Sequence, residues 1–183
     1  MAFLSALPAD ATVMDVLKTF PEPAGPLIDY HQVVLRGPSE LTVGERELIA
    51  AFVSGLNACH YCCGVHGAVA ERFGIEPGLL TALLVDVATA PVRESLKPLF
   101  AYVRKLTREP SRMTAADAEA VLDCGWQQRT LYDAVSVCAL FNLMNRIVEG
   151  TGVRAPDEHY FSAAAQRLSA DPEFSGYRTP DTP

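Results

Sequence analysis

Cys59 and Cys62 stand three residues apart, and His66 follows Cys62 by four. On a helix, three steps turn about 300° and four about 400°, so all three side chains share one narrow stripe. Two thiols one turn apart can close a disulfide near a helix end. An imidazole one turn beyond Cys62 can take that thiol's proton, directly or through one water. A base matters because a free thiol is only roughly 3% ionised at pH 7, and only the thiolate attacks. Proximity to His66 makes Cys62 the expected nucleophile, with Cys59 as its partner. Glu47 is the candidate that orients and charges the His66 ring.

Glu47 precedes Cys59 by twelve residues, which is about 18 Å along an unbroken helix. It reaches His66 only if the chain bends, and Gly55-Leu56-Asn57 offers the break. The spacing therefore predicts two helices folded back on each other. Thr42 and Glu45 form a capping box that opens the first, which runs to about Ser54. Asn57 is the expected N-cap of the second, which runs to about Phe73 with Gly74 at its C-terminal end.

The rest of the chain reads as further helices near residues 10–19, 26–35, 78–88, 92–108, 115–123, 127–149 and 157–169. Thr114 and Asp117 form another capping pair. Alternating β-branched runs are missing, so the expected class is all-α. The 183 residues suit one domain: a proline-rich N-terminal arm over 1–40, a helical core over 41–169 and a tail over 170–183. Residues 134–153 faintly echo 51–75, as a duplication or as two similar buried helices.

The net charge is −7 and the 15 Lys and Arg residues are dispersed, which argues against nucleic acid or an anionic membrane as partner. The N-terminus carries no basic residue before a proline and does not read as a signal peptide. The most apolar run, 79–90, is interrupted by Asp86 and too short for a bilayer. A soluble, cytoplasmic protein is expected, with its five cysteines reduced, catalytic or buried.

Other chemistries compete for the same residues. A structural zinc site on Cys59, Cys62 and His66 needs a fourth ligand, which only His60 or Cys63 could supply. The two thiols could also be inert core material. No metal or bound cofactor is expected. Cys63 falls off the stripe and reads as a spectator. Cys124 and Cys138 read as helix-core thiols, Trp126 as packing or interface, and His31 and His159 as structural. Asn142, Asn145 and Arg146 interrupt an apolar helix and need partners, with a subunit contact favoured over the site itself.

The run of Glu47, Ala51-Phe52-Val53-Ser54, Asn57, Cys59, Cys62 and His66 resembles the motif of alkylhydroperoxidase-D-like (AhpD-like) proteins, within the carboxymuconolactone decarboxylase superfamily. Asn57-Ala58-Cys59-His60-Tyr61-Cys62 and the distal Leu140-Phe141-Asn142-Leu143-Met144-Asn145-Arg146 look like its peroxidase-related subgroup. The strong resemblance spans about residues 41–75. It implies an all-helical fold assembled as trimers or hexamers. It implies a peroxidase in which Cys62 is the peroxidatic thiolate, His66 and Glu47 relay protons, and Cys59 resolves the sulfenic acid as a disulfide. The implied substrates are hydroperoxides. The implied reductant is an external dithiol such as a protein-bound dihydrolipoamide. In the best-known peroxidase branch a relay histidine precedes the second cysteine. Here Tyr61 stands there and reads first as packing, and His60 lies about 100° away from Cys59. Two other functions stay open: a redox sensor or interaction scaffold that cycles without turnover, and a lactone decarboxylase, which would not need the cysteine pair.

Overall fold

The structure, a computed structural model, describes residues 1–171, apart from the side chain of Glu158. The expected tail over 170–183 lies almost wholly outside the described residues. In chain order the helices are α1 (Val13–Thr19), α2 (Pro21–Arg36), α3 (Val43–Leu56), α4 (His60–Arg72), α5 (Leu79–Val85), α6 (Leu96–Arg108), α7 (Ala115–Leu122), α8 (Gln128–Thr151) and α9 (Glu158–Leu168). A short 3₁₀ turn, Pro110–Arg112, follows α6. Among the described residues there is no strand, and the class is all-α as expected.

α3 is the centre. Its residues from Gly44 to Ser54 are all buried, and α2, α4, α5, α6 and α8 pack around it. Thr42 caps it as expected: its hydroxyl accepts from Glu45 N (3.2 Å), and Glu45 reaches back to Thr42 N (2.9 Å). At α7 half of the pair is made: Thr114 N and its hydroxyl both donate to Asp117 Oδ2, at 2.7 and 2.8 Å.

α2 begins at Pro21, earlier than the expected residue 26. The first four N–H groups of a helix have no partner within it, so Pro21 and Pro23 remove no bond there. The 134–153 echo is not a structural repeat. Residues 51–75 contain a helix end, a turn and α4, whereas 134–151 lie within continuous α8. Among the described residues, the helix long and apolar enough to cross a membrane is α8 rather than the 79–90 segment. About half of it is buried inside the molecule, against α2, α3, α4, α6 and α7.

α4 ends in a Schellman motif. Ile75 N donates to Ala70 O (3.1 Å) and Gly74 N to Glu71 O (3.1 Å), with Gly74 left-handed at φ 88°. α9 returns across α4. A Cβ on Gly64 would lie 2.6 Å from the Phe161 ring, so this glycine sets how closely α9 approaches the dithiol helix.

Candidate functional site

The chain bends where the spacing requires. α3 stops at Leu56, and the turn closes through Ala58 N to Gly55 O (3.0 Å) and Cys59 N to Ser54 O (2.9 Å). Ala58 is left-handed at φ 56°, a conformation that costs an L-residue about 1–2 kcal/mol. The N-cap of α4 is Cys59, not Asn57, because the turn needs Asn57 to finish α3. The Asn57 amide instead ties the turn to α8, donating to Asn145 Oδ1 (2.9 Å) and Asn142 Oδ1 (3.1 Å).

With the helices folded back, Glu47 meets His66. His66 Nδ1 donates to Glu47 Oε2 at 2.6 Å, which fixes the proton on Nδ1. The other carboxylate oxygen accepts from Arg36 Nη1 at 2.6 Å. Burial works against ionisation of Glu47, but His66 and Arg36 outweigh it and hold the carboxyl below its usual range. Arg36 Nη2 also donates to Leu168 O (3.0 Å), and the guanidinium lies over Phe73.

The two thiols are free, buried and bonded to each other. The Cys62 thiol donates to Cys59 Sγ, and burial and the charge of Cys59 add to that bond, so the Cys62 pKa lies well above its ordinary value. Cys59 shifts downward. Its largest cause is the Cys62 thiol, and the Cys62 N–H at the start of α4 adds to it, against burial and the Glu149 carboxylate. Asn145 donates to Cys62 and favours its anion. Asn145 is buried, with Nδ2 also 3.0 Å from Ser54 Oγ. The expected subunit contact is thus corrected for Asn145: its partners are within the chain, beside the dithiol.

Cys62 and His66 line one cavity of ≈ 20 Å³, room for a single water molecule. Tyr61, Phe141, Tyr160 and Arg167 are also in its wall. Cys59 is not. Tyr61 does more than pack: its hydroxyl accepts from Val13 N (3.3 Å) and bonds to the Tyr160 hydroxyl. Cys63 is half-buried, raised by burial, and outside the cavity. Cys138 is a core thiol as expected, but Cys124 is exposed in the turn after α7. Trp126 packs, with Nε1 donating to Ser95 O (2.7 Å) under Arg93. Among the described residues no group of three or more His, Cys, Asp or Glu side chains is placed to hold a metal ion.

Residues 21–92, α2 through α5 and the loop after it, match the carboxymuconolactone decarboxylase family. The fold is similar to the crystal structure of an uncharacterized peroxidase-related protein from Silicibacter sp. TM1040. Identity is 28% and TM-score 0.74, over 81% of this chain and 78% of that one. It is likewise similar to an alkylhydroperoxidase AhpD core structure, an uncharacterized peroxidase-related protein from Ralstonia eutropha JMP134. There identity is 26% and TM-score 0.75, over the same shares of 81% and 78%. The family match and both structures make this chain similar to proteins of the AhpD-like superfamily, and it shares their fold. No curated protein matches the sequence.

Within this AhpD-like fold, two residues of the site escaped the sequence reading. Arg36 ends a helix eleven residues before Glu47, and a C-terminal arginine is ordinarily read as a dipole partner facing solvent. Glu47 on α3, Phe73 at the end of α4 and the last carbonyl of α9, Leu168 O, enclose it. Tyr160 lies about a hundred residues from Tyr61 and carries no motif. Its proximity follows from the return of α9 over α4.

Proposed function

We propose that this protein is a thiol-dependent peroxidase that reduces hydroperoxides through Cys62 and Cys59. The observation that carries the reading is that Cys62 opens onto the same cavity as His66, whose ring is fixed by the buried Glu47 carboxylate. The Cys62 proton passes to His66, and Glu47 stabilises the imidazolium so formed. The Cys62 thiolate attacks one peroxide oxygen; the S–O bond forms as the O–O bond breaks, giving an alcohol and a sulfenic acid. The bond from the Cys62 thiol and the Cys62 N–H lower the Cys59 pKa, which suits Cys59 to resolve that intermediate. Its thiolate attacks the Cys62 sulfur, the disulfide forms, and hydroxide leaves with a proton as water. An external dithiol, with a lipoylated protein as the favoured candidate, is oxidised to reset the pair. A reducing compartment such as the cytoplasm and a homo-oligomeric state complete the reading.

The test is peroxide consumption by wild type and Cys62→Ser across a panel of dithiols that includes lipoylated protein. Wild type should form the Cys59–Cys62 disulfide with one equivalent of peroxide and turn over with at least one dithiol. Cys62→Ser should do neither, and Cys59→Ser should trap the sulfenic acid. Oxidation without steady-state turnover on any dithiol would make the protein a redox sensor. No disulfide under excess peroxide would overturn the peroxidase reading.

A further inference from the structure

Attack on a peroxide creates a second proton requirement, which His66 and Glu47 do not meet while they hold the thiol's proton. The oxygen expelled from the O–O bond leaves as an alkoxide or hydroxide, a strong base, and an acid at the cavity wall lowers that barrier. Two phenols stand there. Tyr61 and Tyr160 both line the cavity that Cys62 and His66 line. Their hydroxyls are bonded to each other, and the rings lie 5.5 Å apart. The Tyr61 oxygen also accepts the main-chain N–H of Val13 at 3.3 Å. α1, α4 and α9 therefore converge on one oxygen atom.

We infer that Tyr61 is the acid that protonates the leaving oxygen of the peroxide, with Tyr160 as the residue that positions and polarises it. The inference rests on the peroxidase reading above. In the step, the Cys62 thiolate forms the S–O bond, the O–O bond breaks heterolytically, and the Tyr61 O–H gives its proton to the departing oxygen. The phenolate that remains is stabilised by the Val13 N–H and the Tyr160 O–H. It recovers a proton from the His66 imidazolium through the cavity. The thiol's proton thus ends on the alcohol, and no outside acid is needed. Donors already fixed around the oxygen require little reorganisation when the charge develops.

The distinguishing measurement is the rate of Cys62 oxidation by two oxidants, tert-butyl hydroperoxide and peracetic acid. The first expels an alkoxide that must be protonated; the second expels acetate, which need not be. Tyr61→Phe should slow the hydroperoxide reaction by roughly a hundredfold and the peracid reaction far less. Tyr160→Phe keeps the bond from Val13 to Tyr61 and should slow the hydroperoxide reaction by roughly tenfold, again selectively. Equal losses with both oxidants, or no loss with either, would overturn this inference and leave the peroxidase reading standing. Wild-type protein inert to both oxidants would overturn the reading and the inference together.

Discussion

Arg36 donates to Glu47 at 2.6 Å, with side chains 0% and 1% exposed respectively. The same guanidinium holds the last carbonyl of α9, Leu168 O. Arg36→Met leaves the carboxylate buried with His66 alone. Breaking a buried pair from one side costs about 3–5 kcal/mol, which denaturant unfolding should show. Arg36→Lys restores the charge but not both bonds, and should fall between wild type and Arg36→Met.

The two thiols should shift each other in opposite directions. In Cys62→Ala, Cys59 loses the donor that most lowers it, so its pKa rises. In Cys59→Ala, Cys62 loses the bond and the charge that raise it, so its pKa falls. Thiolate ultraviolet absorbance against pH follows both. An unmoved surviving thiol in either variant would contradict the shared proton.

Asn145→Ala removes the acceptor for Asn57 and the donor to Ser54. Asn57 keeps Asn142 Oδ1 and Ser54 keeps Ala50 O, so the loss of these two bonds should cost about 1–2 kcal/mol. It also removes the one donor that favours the Cys62 anion, so the Cys62 titration should move up further. Stability and thiol titration measured on the same variant separate the two effects.

His31 is buried, and burial lowers its pKa from 6.5 to about 4 despite its bond to Leu27 O. The unfolded chain therefore binds a proton on this residue before the folded chain does. Stability should fall as pH drops from about 6.5 towards 4, by about 3 kcal/mol from this residue. Glu47 acts in a separate window. Its carboxyl is depressed, so its contribution is present above the ordinary carboxyl pKa of 4.5 and is lost only below it. Unfolding measured across pH on wild type and His31→Phe should show the upper slope vanish while the lower one stays.

The bend and the meeting of Glu47 with His66 were legible because a spacing constrains geometry: twelve residues cannot be crossed by a straight helix. The capping boxes were legible because their bonds are local. Asn57 was misjudged because an N-cap and a C-cap asparagine look alike in sequence, and the left-handed Ala58 carried no glycine to mark it. Arg36, Tyr160 and the inward face of Asn145 depend on how distant helices pack. The opposite shifts of the two cysteines follow first from the bond between their sulfurs, a side-chain orientation that spacing alone does not fix.

Cys59 sits outside α4 on extended backbone, φ −84° and ψ 91°, while Cys62 is held within the helix. One sulfur is thus carried by the turn and the other by the helix. Strain from a bond between them would fall on the peptide planes of residues 57–59 and pass through Asn57 to α8. The oxidation state of the sulfurs would then be recorded in main-chain mechanics, where amide hydrogen exchange can read it without a thiol reagent.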